Sequence, residues 1–320
     1  MSPKLAISIS PHIRTRETVP RIMWTVVLVL LPAGIFSCLN FGWHVLSVIA
    51  ACVITAVVLE ALIQKLRGKE ITISDGSAVL TGLLLAYNLS PALPIWMAII
   101  GTVVAIAIGK HAFGGLGHNI WNPALVGRAF LMAAYPGAMT TWFPSRLAGA
   151  VDAMTYATPL NVIKQSLPQS LPSLGEMFFG IRGGCIGETC CLLLLLGGLF
   201  LLWKGYITWH IPVAFLGSLA CFAVIASGGK PQAAVFAICA GGAMLGSIYM
   251  ATDYVTSPVS VRGMLIFGIG CGIITGVIRK WGGYPEGVCY AILLMNSATP
   301  LIDRLTLPRA YGEAKRKVWV

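Results

Sequence analysis

An all-α integral membrane protein is the fold class this sequence predicts, on three observations. Charged residues make up 10% of the chain and hydrophobic ones 57%, where a soluble domain carries about 25% charged. The charges are also segregated, with no Asp, Glu, Lys or Arg from Ile22 to Leu59, Gly76 to Gly109, Gly205 to Gly229 or Pro231 to Thr252. Each such run is long enough for a membrane-crossing helix, which needs about 20 apolar residues. Finally, Gly and Pro interrupt the apolar runs at corresponding places early and late in the chain, the pattern of helices broken inside a bilayer.

In chain order, the opening stretch MSPKLAISISPHIRTRETVPR places Arg14, Arg16 and Arg21 before the first apolar run. That run lacks a small-residue cleavage site, so it reads as a retained span rather than a removable leader. Spans are expected at 22–41, 43–64, 76–90, 93–111 and 121–136, then at 189–204, 207–227, 232–252, 259–278 and 286–303. The third and fifth are short and interrupted, as are the eighth and tenth, which pairs the spans as two five-helix repeats. The segments GKHAFGGLGHNIWNPALVGRAFLM (109–132) and RKWGGYPEGVCYAILLMNSATP (279–300) echo each other in the same way. Five being odd, the second repeat is inverted. The predicted organisation is about ten transmembrane helices in two inverted five-helix repeats with broken helices. It comprises a first repeat (1–136), an extracytoplasmic loop (137–188), a second repeat (189–304) and a cytoplasmic tail (305–320).

Orientation follows from Lys and Arg, which accumulate on cytoplasmic loops. With the N-terminus inside, 15 of them fall on the inner side and 6 outside, and Arg128 lies within a span. Both termini are therefore expected in the cytoplasm, in a multi-pass protein of a bacterial or archaeal cytoplasmic membrane. The net charge of +11 does not argue for nucleic acid, because the bases flank apolar spans, where orientation and anionic lipid account for them. The nine cysteines form no C-x-x-C pair and sit mostly in apolar runs, so they read as small hydrophobes rather than metal or cluster ligands. His111 and His118 flank a Gly-rich turn without a thiolate or carboxylate beside them in sequence, and no metal site is expected there. The GGLG of that turn lacks the strand–turn–helix context of a nucleotide fingerprint.

One stretch does not fit an apolar protein. DAMTYAT (152–158) sets an aspartate and two threonines in a loop whose prolines at 144, 159, 168 and 172 prevent one long helix. Unstructured loops of this length are usually functional or disordered. A helix cap is the plain reading, since Asp and Thr are favoured there. Acids near span ends raise a similar choice. Glu60 follows the first long charge-free run and precedes Lys65, which suggests pairing at the interface. Asp303 sits at the end of the last span. Asp75 opens the third span and Asp253 closes the eighth; ionisable groups in such places tend to mark ion paths, and these two are the ion-path candidates.

Five blocks together, SDGSAVLTGLLLAYNLSP (74–91), GGLGHNIWNPALVGRAFLMAAYP (114–136), DAMTYATPL (152–160), ATDYVTSP (251–258) and GGYPEGVCYAILLMNSATPLIDR (282–304), resemble the D subunits of Rnf/Rsx electron-transport complexes. They also resemble the related B subunits of sodium-translocating NADH:quinone reductases, which usually have a longer N-terminal extension than the twenty or so residues present here. The resemblance implies a flavin-carrying subunit of an ion-translocating oxidoreductase that passes electrons between ferredoxin and NAD and is not active alone. It implies partners of the A, B, C, E and G type, a flavin transferase, and membrane lipid. It also implies covalent FMN, phosphoester-linked to the last threonine of an Asp-x-x-Ser/Thr-x-Ala-Thr motif, here Asp152, Thr155, Ala157 and Thr158, with Thr158 the acceptor. Tyr156 departs from the small residue usual at its place. A hydroxyl linked through the FMN phosphate leaves the redox-active ring unaltered, and a loop outside the bilayer suits a modifying enzyme.

Family members also look as if they hold riboflavin, which suggests a non-covalent flavin at the turn GGLGHNIWNP, where Asn119 and Asn122 offer amides to an isoalloxazine edge. The competing expectation for those asparagines is that they satisfy loose helix ends. The competing function for the whole chain is a small-solute channel or transporter of inverted-repeat architecture; DAMTYAT argues against it, because a channel has no need of such a motif.

Overall fold

The computed structural model describes residues 17–148, 157–165 and 172–308, and the regular structure within them is entirely helical. Asp152 and Thr155 lie outside the described residues. Helices α1 (Val19–Phe41), α2 (His44–Leu66), α3 (Ser77–Tyr87), α4 (Ile95–Val104) and α5 (Pro123–Ala134) make up the first part. The chain continues from α4 in π-helical turns over Ala105–His111. The intervening segment carries three short helices, α6 (Pro136–Met139), α7 (Pro159–Gln165) and α8 (Leu174–Phe179). Then come α9 (Cys191–Trp203), α10 (His210–Ala226), α11 (Gln232–Cys239), α12 (Ala243–Leu245), α13 (Val261–Trp281) and α14 (Val288–Thr306).

Local chemistry explains the boundaries. Asn122 caps α5 by accepting from Ala124 N at 3.1 Å, with Pro123 at the first helical position, where no amide hydrogen is needed. Ser173 and Glu176 form a reciprocal capping box at α8, and Ser260 caps α13. The helices pack through small residues, as helices do where lipid removes the hydrophobic drive for association. On α13, Gly268, Gly272 and Gly276 face Ala214, Phe215 and Phe222 of α10, and a Cβ at Gly268 would lie 2.9 Å from the Ile211 carbonyl. Gly82 of α3 meets the backbone of α2 at Cys52 and Val53, both 2.9 Å from where its Cβ would stand.

Helices α1, α2 and α13 are each long and apolar enough to cross a membrane, and α11 with Ala243–Met250 makes a fourth such span when the bent pair is counted as one. That pair turns by 72° at its break, where Gly241 takes φ +60°. The break expected in the last span is absent: α14 runs unbroken through Pro300. Pro300 removes an amide from the helix ladder without breaking it, and beside it the Thr299 hydroxyl bonds the carbonyls of Met295 (3.1 Å) and Thr256 (3.0 Å); proline is tolerated in membrane helices where neighbouring groups support the backbone. Helix α3 has no interior break either.

The segment expected as an outer loop departs from expectation at its end. Ile186 and Glu188 are buried, Ile186 N and Gly187 N donate to Leu89 O and Tyr87 O at the end of α3, and Ser37 of α1 donates to Ile186 O. Glycine allows this: Gly187 lies flat on the Tyr87 ring, with no room for a side chain. Residues 180–190 therefore belong to the helical core.

Candidate functional site

Three buried polar constellations stand out among the described residues. The first surrounds Thr158. This residue is 4% exposed and stands just ahead of α7, where its Oγ1 accepts from Asn161 N at 3.3 Å and Pro159 takes the first helical position. The threonine expected on an accessible loop is thus buried at the head of a helix, because the chain folds back on the bundle. It opens onto a small cavity lined also by Arg182, Gly183, Gly184, Glu188, Gly241 and Glu286. Ala157 precedes it, partly exposed.

Behind this cavity Arg128 of α5 joins distant parts of the chain. Its Nη1 donates to Glu188 Oε1 at 3.0 Å and to Asn88 Oδ1, and its Nη2 pairs with Glu286. A guanidinium suits this position, since its rigid fork serves two carboxylates at once. Cys185, Glu188 and Glu286 have ligand atoms close enough together for a metal ion, but Arg128 already sits between the two carboxylates and supplies the positive charge a metal would bring.

The second constellation is a cleft, partly open to solvent, at the ends of α3, α5 and the bent pair. Ser77, Lys110, Asn119, Asn122, Asp253 and Tyr254 give it polar walls, and leucines and isoleucines from α1, α3 and α9 line the rest. This mixture of apolar walls with a few convergent polar groups suits a small-molecule site. Asn119 and Asp253, 134 positions apart, both line this cleft. Burial pushes the Asp253 carboxyl above its ordinary range, against the smaller opposing effect of bonds from Thr256 and the Val255 amide. Asn122 is committed to structure: besides its cap, its Nδ2 donates to Met250 O at 3.2 Å. The Asn119 amide donates to Trp121 O at 3.1 Å.

The third is an ion pair. Glu60 does not pair with Lys65; it is buried at 1% exposure and binds Lys110 Nζ at 2.6 Å. Lys110 also donates to Ser77 Oγ (2.7 Å), which donates to Asp75 Oδ1 (2.7 Å). Asp75 accepts from Ser77 N at 2.8 Å as well and so opens α3. The two ion-path candidates therefore join different networks, with Lys110 and Ser77 bordering both.

Reasoning from the sequence missed Arg182, Glu188 and Glu286 altogether. Arg128 inside a span was the available signal, since a buried cation demands acidic partners. Nothing in the order of residues says which acids these are.

These features define a multi-helix membrane protein with charged networks and two pockets in its interior. The chain belongs to the NQR2, RnfD, RnfE family, whose model matches residues 6–312. It is 50% identical to the D subunit of the proton-translocating ferredoxin:NAD(+) oxidoreductase complex of Clostridium ljungdahlii, over 96% of this chain and 96% of that protein. It is 49% identical to the D subunit of the Na(+)-translocating ferredoxin:NAD(+) oxidoreductase complex of Acetobacterium woodii, over 98% and 97% of the two chains. The D subunit of the ion-translocating oxidoreductase complex of Stutzerimonas stutzeri is 40% identical over 94% of each.

Proposed function

We propose that this chain is the flavin-carrying membrane subunit of an ion-translocating oxidoreductase passing electrons between ferredoxin and NAD, with FMN held as a phosphoester on Thr158. The observation that carries the reading is the place of Thr158: it ends the Asp152–Thr155–Ala157–Thr158 motif, and it lines a cavity with Arg182, three glycines and the carboxylates Glu188 and Glu286. Among the lining residues Arg182 offers a phosphoester its positive charge, and Gly183, Gly184 and Gly241 bring no side chains. FMN, when bound, supplies one- and two-electron redox chemistry; the chain supplies position, a cationic surround and exclusion of water. Because Thr158 is buried, attachment by a transferase precedes the packing of α7 onto the bundle.

A second flavin, non-covalent riboflavin, belongs in the cleft at Asn119. Asn119 and Tyr254 line that cleft and provide partners for ring carbonyls and nitrogens. Asn122 then acts by fixing the head of α5 rather than by offering its amide. Ten crossings in inverted halves, both termini cytoplasmic, and assembly with A, B, C, E and G type subunits in a cytoplasmic membrane complete the reading, with Asp75 and Asp253 as its ion-path residues. The Rnf type is preferred to the quinone-reductase type because the relatives above are D subunits of such complexes, matched over nearly their whole length.

Flavin fluorescence of the denatured polypeptide on a gel tests the covalent site. Thr158→Ala abolishes the signal while the protein still inserts, and Thr155→Ala keeps at least part of it. Full fluorescence in Thr158→Ala refutes the assignment. Asn119→Ala loses the extractable flavin and keeps the gel-stable one; retention of both places the second flavin elsewhere.

A further inference from the structure

A third hollow, an open groove, lies between α7, α10, α11 and α13. Its floor is apolar: Leu160 and Ile163 of α7, Leu219 and Phe222 of α10, Phe236 of α11 and Gly276 of α13. A side chain in place of Gly276 would run into the Phe222 ring. Along α10 the groove reaches from Ser227 back to Leu219, about 12 Å at the helical rise per residue. Cations collect at one end. Lys164 Nζ donates to Ile278 O (3.3 Å) and Tyr284 O (2.5 Å), and Lys280 Nζ donates to Ala226 O (3.2 Å). Arg279 donates to Ala237 O (2.7 Å) and Ala240 O (2.8 Å). These partners are all backbone carbonyls, which satisfy hydrogens but carry no net charge. No Asp or Glu lines the groove, and Glu286, next to Pro285 in its wall, is held by Arg128.

The groove also sits where a membrane surface would fall. Arg279 and Lys280 occupy the last turn of α13, which is long and apolar enough to cross a membrane. Trp281 ends that helix, 68% exposed, with its ring 5.0 Å from Lys280 Nζ and edge-on to Phe222. Tryptophan and long cationic side chains gather at the boundary between hydrocarbon and water. On the same helices Ile225, Val235 and Val277 are exposed, as on a face turned to lipid.

We propose that this groove binds one anionic phospholipid, with its phosphate at Lys164 and Lys280 and an acyl chain laid along α10 toward Leu219. An ammonium has three donors; Lys164 gives two of them and Lys280 one to carbonyls, so each keeps a donor for phosphate. Basic pockets between membrane helices hold anionic head groups in this way. Charge and shape agree on the occupant. A zwitterionic lipid would bring another cation into a cluster that already has three, and a soluble anion would leave the apolar floor uncovered. The assignment is independent of the flavin sites.

Native mass spectrometry of the full-length protein tests this. The protein is washed in detergent and offered dioleoyl phosphatidylglycerol and dioleoyl phosphatidylcholine in equal amounts. One phosphatidylglycerol per chain is retained about tenfold over phosphatidylcholine, the scale of one charged hydrogen bond. Lys164→Gln combined with Lys280→Gln abolishes that preference, and Lys164→Arg combined with Lys280→Arg keeps it. Equal retention of the two lipids overturns the proposal, as does a preference that survives the glutamine pair or is lost equally in the arginine pair. If the glutamine pair does not insert, a photoactivatable benzophenone side chain at Ile163 decides in the cell membrane: it crosslinks to phospholipid. A crosslink to polypeptide instead, whether residues 166–171 of this chain or another subunit, overturns the proposal.

Discussion

Arg128→Met removes the cation that binds three distant segments of the chain. Arg128 is 4% exposed, and the side chains of its acidic partners Glu188 and Glu286 are 2% and 10% exposed. Solvent therefore screens neither pair. Removing one partner of a buried pair costs about 3–5 kcal/mol, because the remaining charge is left without compensation. Here two carboxylates lose their shared cation and face each other, which puts the expected loss at the upper end of about 3–5 kcal/mol. Arg128→Lys keeps the charge but not the fork, so it loses one charged hydrogen bond, about 1.5–3 kcal/mol. Equilibrium unfolding in mixed detergent and SDS, followed by tryptophan fluorescence, measures both. Combining Arg128→Met with Glu286→Gln recovers part of the loss, because the two carboxylates no longer face each other as like charges. A loss below about 1 kcal/mol for Arg128→Met, the scale of an exposed pair, would refute the network. So would a double variant no more stable than Arg128→Met alone.

Lys110→Met strands buried Glu60 and destabilises the same unfolding transition by about 3–5 kcal/mol, and Glu60→Gln added to it restores part of the loss. Burial raises the Asp253 carboxyl, so its ionised form opposes folding: the penalty is absent below the ordinary carboxylate range, grows as pH rises, and is complete above the raised value. Asp253→Asn is accordingly the more heat-stable protein at roughly pH 8, and the gap closes near pH 3, below the usual aspartate pKa of ~3.9; a gap of the same size at both pH values contradicts the assignment. Gly272→Leu forces a side chain into Phe215 and Ser218 of α10, and overpacking of this kind costs about 1–3 kcal/mol, read as a lower thermal midpoint. Asn122→Ala loses the α5 cap, worth about 1 kcal/mol, and lowers the midpoint by a correspondingly smaller amount.

The helical segments were legible in the sequence because charge is excluded along the whole length of an apolar helix. That is a local property, and each of the expected segments coincides with helix in the structure. The helix end at Asn122 was equally local, since a cap acts within three residues of itself. The unbroken course of the last span was not legible, because a proline reports the missing amide but not the Thr299 hydroxyl and Thr256 carbonyl that stand beside it. The charged partnerships could not be read at all. Glu60 pairs with Lys110 rather than the nearer Lys65, and Arg128 selects Glu188 and Glu286, 60 and 158 positions away. Electrostatic pairing in a medium of low polarity depends on distance and on shared burial, and both arise only when helices far apart in sequence pack together. By itself the sequence determined an all-helical membrane chain and the motif ending at Thr158. Only the tertiary structure decided that this threonine is buried and which charges surround it, because separation along the chain says nothing about separation in space once the helices have packed.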